Sequence, residues 1–203
     1  MTKADKQAKT YHHGNLRNAL LLAGEEELIE KGVEKFSLRG VAKRAEVSHA
    51  APSHHFGDID GLINALATLS FERFGKAMID RAAAENNGAE AKLLAICLAY
   101  IDYASNNHAM FDLQFSSGRT DACHPELRHA SSASYQVLED RVSAVLALTH
   151  RKLDDEKDAA PSVWALVHGL AGLFGRRTTN GGPKGQDLND ALERILWKNI
   201  KAL

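Results

Sequence analysis

The sequence predicts an all-α protein of about nine helices, with an N-terminal three-helix helix-turn-helix domain and a C-terminal helical bundle. Three observations carry this. The strong helix formers Ala, Leu, Glu and Lys dominate, and few stretches alternate as strands do. Apolar residues recur at helical spacing, as in Leu38, Val41, Ala42 and Ala45 at i, i+3, i+4 and i+7. Breaks rich in Gly and Asn, such as Glu85-Asn86-Asn87-Gly88, separate these stripes.

A chain of 203 residues that is 44% hydrophobic can bury a real core. No apolar run approaches the roughly 18 residues of a membrane span. The N-terminus MTKADKQAKT is polar, and two cysteines, Cys97 and Cys123, suit a reducing cytosol. A cytoplasmic protein without membrane attachment is therefore expected. Net charge is −1, yet residues 1–24 carry Lys3, Lys6, Lys9 and Arg17 against Asp5 alone. Local rather than total charge governs phosphate binding, so the N-terminal end remains a candidate for meeting a polyanion.

Residues 1–10 read as a basic arm. The first helix is expected from about Asn15 to Lys31, with Leu16, Ala19, Leu20, Ala23 and Leu28 inward and Gly32 just past its end. Ser37 is placed to cap a second helix. Glu46-Val47 is a turn, Ser48 is read as a second cap, and a short third helix ends near Phe56. Two helices joined so tightly form the unit whose second helix enters the DNA major groove. Asp58 caps a long fourth helix, Ile59 to about Ala84, with Leu62, Ile63, Leu66, Leu69, Phe74 and Met78 on its apolar face. The fifth, Ala89 to Ser105, is apolar nearly all round and hence central to the bundle. A short helix spans Ala109 to Phe115, and Pro125 opens a seventh that runs to about Thr149. Residues 150–158 read as a charged loop, with Asp158 capping the eighth helix and Pro161 in its first turn. Asn180 to Gly185 is a loop, and a last helix, Leu188 to about Lys201, sets Leu188, Leu192, Ile195 and Leu196 on one side.

The stretch L-R-x-V-A-x-x-A-x-V-S from Leu38 to Ser48, the pair Ala50-Ala51 and His55-Phe56 resemble the DNA-binding domain of the tetracycline-repressor (TetR) family of bacterial regulators. Tyr11 to Arg17 resembles the entry to that family's first helix. Trp164, His168 and Gly169, standing as W-x-x-x-H-G, resemble the C-terminal domain of a subgroup with a Trp-His-Gly signature. The resemblance implies a domain of residues 1–57 that binds DNA and a domain of residues 58–203 that binds a ligand and dimerises. It implies a DNA-binding transcriptional regulator, a repressor that a small-molecule ligand releases from a palindromic double-stranded DNA operator. It further implies a homodimer through the last two helices. The expected DNA-binding residues are Ser37, Arg39, Lys43, Ser48, His49, Ala50, Ala51, Ser53, His54 and His55.

Five residues depart from the family pattern. Glu25 and Glu27 stand where relatives often carry apolar residues. Ser53 stands where Tyr is common, Ile59 where Lys is common, and Glu46 replaces a common turn Gly. Ser53 and Ile59 remove phosphate contacts. They support the alternative of a helical small-molecule-binding bundle whose DNA binding is weakened or lost.

The candidate ligand pocket is Tyr100, Tyr103, Phe111, Phe115, Trp164 and His168, each of which also reads as core. His168 is either a satisfied core histidine or a donor to the ligand. A pocket of this composition suits a small apolar or aromatic effector. Ten histidines invite a metal, but no H-E-x-x-H or paired C-x-x-C occurs, so neither metal nor other cofactor is expected. No Ser-His-Asp order or G-x-S-x-G element is present, and no enzyme activity is expected.

Overall fold

The computed structural model describes residues 13–115, 117–149, 153–174 and 185–203. The basic arm at 1–10 and most of the 180–185 loop lie outside the described residues. The described residues form nine α-helices and no strand. The chain divides into two compact units between Leu66 and Ala67.

In the first unit, α1 (His13–Lys31) is followed by a 3-10 turn (Val33–Lys35), α2 (Leu38–Arg44) and α3 (Ala51–Phe56). The long α4 (Ile59–Ala84) begins here. Gly32 ends α1 at φ 71°, and its N–H donates to the Leu28 carbonyl at 2.9 Å. Ser37 Oγ accepts from the Gly40 N–H at 3.1 Å and caps α2. Asp58 does the same for α4, accepting from Gly61 at 2.8 Å. Leu20, Val41, Ala42, Leu62 and Leu66 are wholly buried. Each leucine so buried contributes about 1.5–3 kcal/mol.

Ser48 does not cap α3. That helix opens at Ala51 behind Ala50, with no side-chain cap bond, and the Ser48 carbonyl instead accepts from the Ala51 N–H. Pro52, in the first turn, has no N–H and so removes one of the donors a cap would serve. Glu46 adopts φ 55°, the left-handed conformation that glycine holds more readily.

The second unit is built on α5 (Ala89–Asn106), which packs against α6 (His108–Phe115), α7 (Pro125–Thr149), α8 (Leu153–Phe174) and α9 (Gln186–Ile200). Its Leu93, Ala95, Ile96, Cys97, Ala99, Tyr100, Ile101, Tyr103 and Ala104 are all buried, as a nearly all-apolar helix requires. Burial pushes the Cys97 thiol up to about 12, so it stays protonated. Tyr103 donates to the Ser70 carbonyl at 3.0 Å, and the Ser70 hydroxyl returns a bond to the phenol at 2.9 Å.

The eighth helix begins earlier than the charged run suggests. Residues 153–158 are helical, and Pro161 lies inside α8 rather than in its first turn. Glu and Lys are good helix formers, and acidic residues near an N-terminus are favoured by the helix dipole. Pro161 and Lys157 are both exposed. The Lys157 carbonyl that Pro161 leaves without a partner can therefore bond to water. On α9, Leu192, Leu196 and Ile200 are buried while Ile195 is exposed, so Ile195 lies off the inward side assigned to it.

Candidate functional site

The first unit sorts its charges. Arg44 turns back onto α1. Its Nη2 lies 3.1 Å from Glu27 Oε2 and 2.5 Å from Glu30, and its Nη1 lies 3.7 Å from Glu26. Glu30 also pairs with Lys31, and these two cations hold its carboxyl down to about 2, Lys31 contributing most. Glu27 is 6% exposed, and this clamp accounts for a carboxylate on the inner side of α1. Gly40 leaves it room, because a Cβ there would stand 2.0 Å from Glu27 Oε1.

Arg39 and Lys43, one turn apart on α2, are exposed and have no ion-pair partner among the described residues. Ser48, His49, Ala50, Ser53 and His54 are exposed as well. Ser37, Ala51 and His55 are half-buried. His54 and His55 meet edge to face with ring centres 5.4 Å apart. Phe56 is half-buried under the Arg17 guanidinium, 5.1 Å from its ring centre. The contact joins the start of α1 to the end of α3, which stops at Gly57 with φ 81°.

The second unit holds a cavity of about 530 Å³. Helix α4 contributes Phe71, Phe74 and Met78, α5 Tyr100, α6 Phe115 and α8 Trp164. Helix α7 supplies the opposite wall: Ser131, Ser132, Ser134, Tyr135, Gln136, Leu138 and Glu139. Of the six residues singled out by sequence, Tyr100, Phe115 and Trp164 line it. Tyr103 lines a different, shallow cleft with Ala77 and Asp102. Phe111 and His168 line a void of about 50 Å³ beside His108 and Asp112, large enough for a water but not for an effector. The α7 wall escaped sequence reading. Its serines carry no helical signature of a binding site, and only the fold turns them toward the aromatic wall.

The Trp-x-x-x-His spacing now has a physical account. Residues four apart share a helix face, and both reach Tyr100. Trp164 Nε1–H donates to the Tyr100 hydroxyl at 3.3 Å, and that hydroxyl lies 2.7 Å from His168 Nδ1. Burial pushes the His168 pKa down, so the ring is neutral near pH 7. An indole N–H can only donate. The assignment that serves every group is therefore Trp164 N–H to Tyr100 oxygen, and Tyr100 O–H to His168 Nδ1. Phe111 stacks on the imidazole at 5.7 Å and 29°, holding it in place. Burial also drives the Tyr100 phenol above its ordinary range, so it keeps its proton.

Among the described residues no group of His, Cys, Asp and Glu is arranged to hold a metal. No helix among them is long and apolar enough to cross a membrane.

Comparison with known proteins agrees with both units. Residues 20–66 match the model for bacterial regulatory proteins of the tetR family. Residues 93–196, about half the chain, match the tetracyclin repressor-like C-terminal domain. The HTH-type transcriptional regulator BetI of Burkholderia mallei is 27% identical over 154 residues, 76% of this chain and 78% of that protein. A solved protein of unknown function from Rhodococcus sp. RHA1 is 28% identical, with TM-score 0.83, covering 97% of this chain and 99% of that one. The regulator FadR from Bacillus subtilis, solved in complex with stearoyl-CoA, shares the fold at 13% identity. Its TM-score is 0.71, covering 91% of this chain and 97% of that one. The chain thus belongs to the TetR family of ligand-responsive, DNA-binding transcriptional regulators.

Proposed function

We propose that this protein is a repressor that binds a palindromic operator as a homodimer and leaves it when a small molecule fills the α4–α8 cavity. The observation that carries the reading is the pairing of a roomy, largely aromatic cavity in one unit with a helix-turn-helix in the other that exposes its polar side chains. Arg39 and Lys43 meet phosphates. His49, Ser53 and His54 reach base edges or phosphates, while the small Ala50 and Ala51 let α3 sit deep in the groove. Ser37, Ser48 and His55 complete the interface. With Arg44 neutralised by carboxylates, Arg39 and Lys43 are the α2 cations left to meet phosphates. A modest salt dependence follows, because each phosphate contact adds to the slope.

Dimerisation through α8 and α9 is supported by their exposed apolar residues. Leu173 is 56% and Ile195 38% exposed. A Cβ built on Gly169 or Gly172 would meet nothing within 4 Å, so the protomer's own packing does not require glycine there. The open surface suits a close helix from a second copy. A two-fold dimer sets its recognition helices about 34–36 Å apart, one DNA turn. In the release step an effector wedges against Phe71, Phe74 and Met78, shifts α4 and changes that spacing. The coupling such a step needs is about 1–3 kcal/mol.

The test is fluorescence anisotropy on DNA from upstream of the protein's own gene, across a salt series. Saturable nanomolar binding that outcompetes random DNA is expected. Arg39→Ala should weaken it by about 1–3 kcal/mol with the fold unchanged. Binding no tighter than to random DNA, unimproved by Ser53→Tyr with Ile59→Lys, would refute the reading.

A further inference from the structure

The cavity is asymmetric in charge, and this decides what fits. Five of its polar side chains have committed a proton elsewhere, while the hydroxyls of Ser132 and Tyr135 can still donate or accept. Tyr100 gives its proton to His168, and Trp164 gives its N–H to Tyr100. The Ser131 hydroxyl donates to the Arg128 carbonyl at 3.0 Å, and Ser134 to the Ser131 carbonyl at 2.8 Å. The Gln136 amide nitrogen donates to Asp140 at 3.0 Å. The committed hydroxyls offer lone pairs, and the donors left are neutral: Ser132, Tyr135 and the second N–H of Gln136. Among the described residues Glu139 is the one charged side chain of the lining, and no cation among them pairs with it. Burial first, and then the nearby Glu139 charge, push the Tyr135 pKa up. Apart from Ser132, the rest of the lining is aromatic and aliphatic, and aromatic faces attract cations while giving nothing to anions.

We infer that the effector is an organic monocation: an ammonium or amidinium head with an apolar or aromatic body. The head donates to Glu139 and to the oxygens of Ser131, Ser134 and Tyr100, and the body packs on Phe71, Phe74 and Phe115. A cavity of about 530 Å³ falls within the ~300–1,000 Å³ of sites for molecules of drug size. An anionic effector would bring a carboxylate beside Glu139, with no Arg or Lys among the described residues of the lining to receive it. The inference rests on the cavity being the effector site.

Three molecules of one shape test it: 4-phenylbutylamine, 4-phenylbutanol and 4-phenylbutyrate, titrated into the full-length protein by calorimetry with melting curves alongside. The amine should bind tightest and raise the Tm, the alcohol should bind more weakly, and the carboxylate should not bind. Glu139→Gln should weaken the amine about tenfold, the loss expected for one charge-assisted hydrogen bond at a half-exposed position, and leave the alcohol unchanged. Glu139→Lys should turn the preference toward the carboxylate. A wild-type preference for the carboxylate, or an amine affinity indifferent to Glu139→Gln, overturns the inference and leaves the cavity as effector site. Binding of none of the three overturns both.

Discussion

Substituting Gly40 by alanine separates two opposing effects whose sizes follow from the structure. Gly40 lies inside α2, where alanine is favoured over glycine by about 1 kcal/mol on helix propensity alone. Space argues the other way. The new Cβ would stand 2.0 Å from Glu27 Oε1, 2.6 Å from Glu27 Cδ and 3.0 Å from Ser37 Oγ. The Glu27 carboxylate must retreat, yet it is 6% exposed and bonded to Arg44. A buried carboxylate parted from its partner costs about 1–3 kcal/mol. Gly40→Ala should thus leave stability unchanged or lower it by up to about 2 kcal/mol. In a Glu27→Ala background the obstruction is gone, and the same substitution should stabilise by about 1 kcal/mol. Urea denaturation of the four proteins, followed by circular dichroism, gives the coupling as a double-mutant cycle. Arg44 keeps Glu26 and Glu30 in the Glu27→Ala protein, so that background should fold. If Gly40→Ala stabilises both backgrounds equally, the steric account of Gly40 is wrong.

Glu46→Gly should stabilise by about 1 kcal/mol, since only the side chain opposes φ 55° there; a lower urea midpoint would refute it. His168 gives a pH test. Its pKa is lowered on folding, so the stability it contributes is present above the ordinary 6.5 and lost as pH falls through the lower folded value. The Tm advantage of the wild type over His168→Gln should therefore shrink between pH 7.5 and pH 5, and a constant difference would show that His168 does not titrate on folding. Arg44→Gln should lower stability without the operator-affinity loss of Arg39→Ala, because its charge is neutralised on α1; equal losses in anisotropy would contradict that division.

The long elements were legible in the sequence. Helix α4 runs from Ile59 to Ala84 and α7 from Pro125 to Thr149, as the apolar stripes and the breakers around them predict. Ser37 and Asp58 cap as their residue types suggest. Misreadings arose where one local signal had two physical meanings. Ser48 had the chemistry of a cap, but the turn geometry used its carbonyl. Pro161 marks a first turn in most helices, and here it sits in the interior of one that the charged run had already begun. Glu27 appeared misplaced because its partner is seventeen residues away, beyond any helical period. The cavity was half legible. Aromatic residues on apolar helices announce an interior, but which of them border empty space depends on packing between helices. Hence Trp164 lines the cavity while His168, one turn along, stands behind it holding Tyr100.

The same arrangement gives the molecule an optical sensor of its own. It has two tryptophans. Trp197 lies on α9 under the Lys201 ammonium, 5.0 Å from the ring centre. Trp164 borders the cavity, with Tyr135 edge-on at 5.5 Å and its indole N–H on Tyr100. Indole emission responds to the polarity and hydrogen bonding of its surroundings. A molecule entering the cavity therefore changes the colour and yield of Trp164 while Trp197 serves as an internal standard. In a Trp197→Phe protein all the indole emission would come from the cavity wall, and occupancy could be followed in real time without a label.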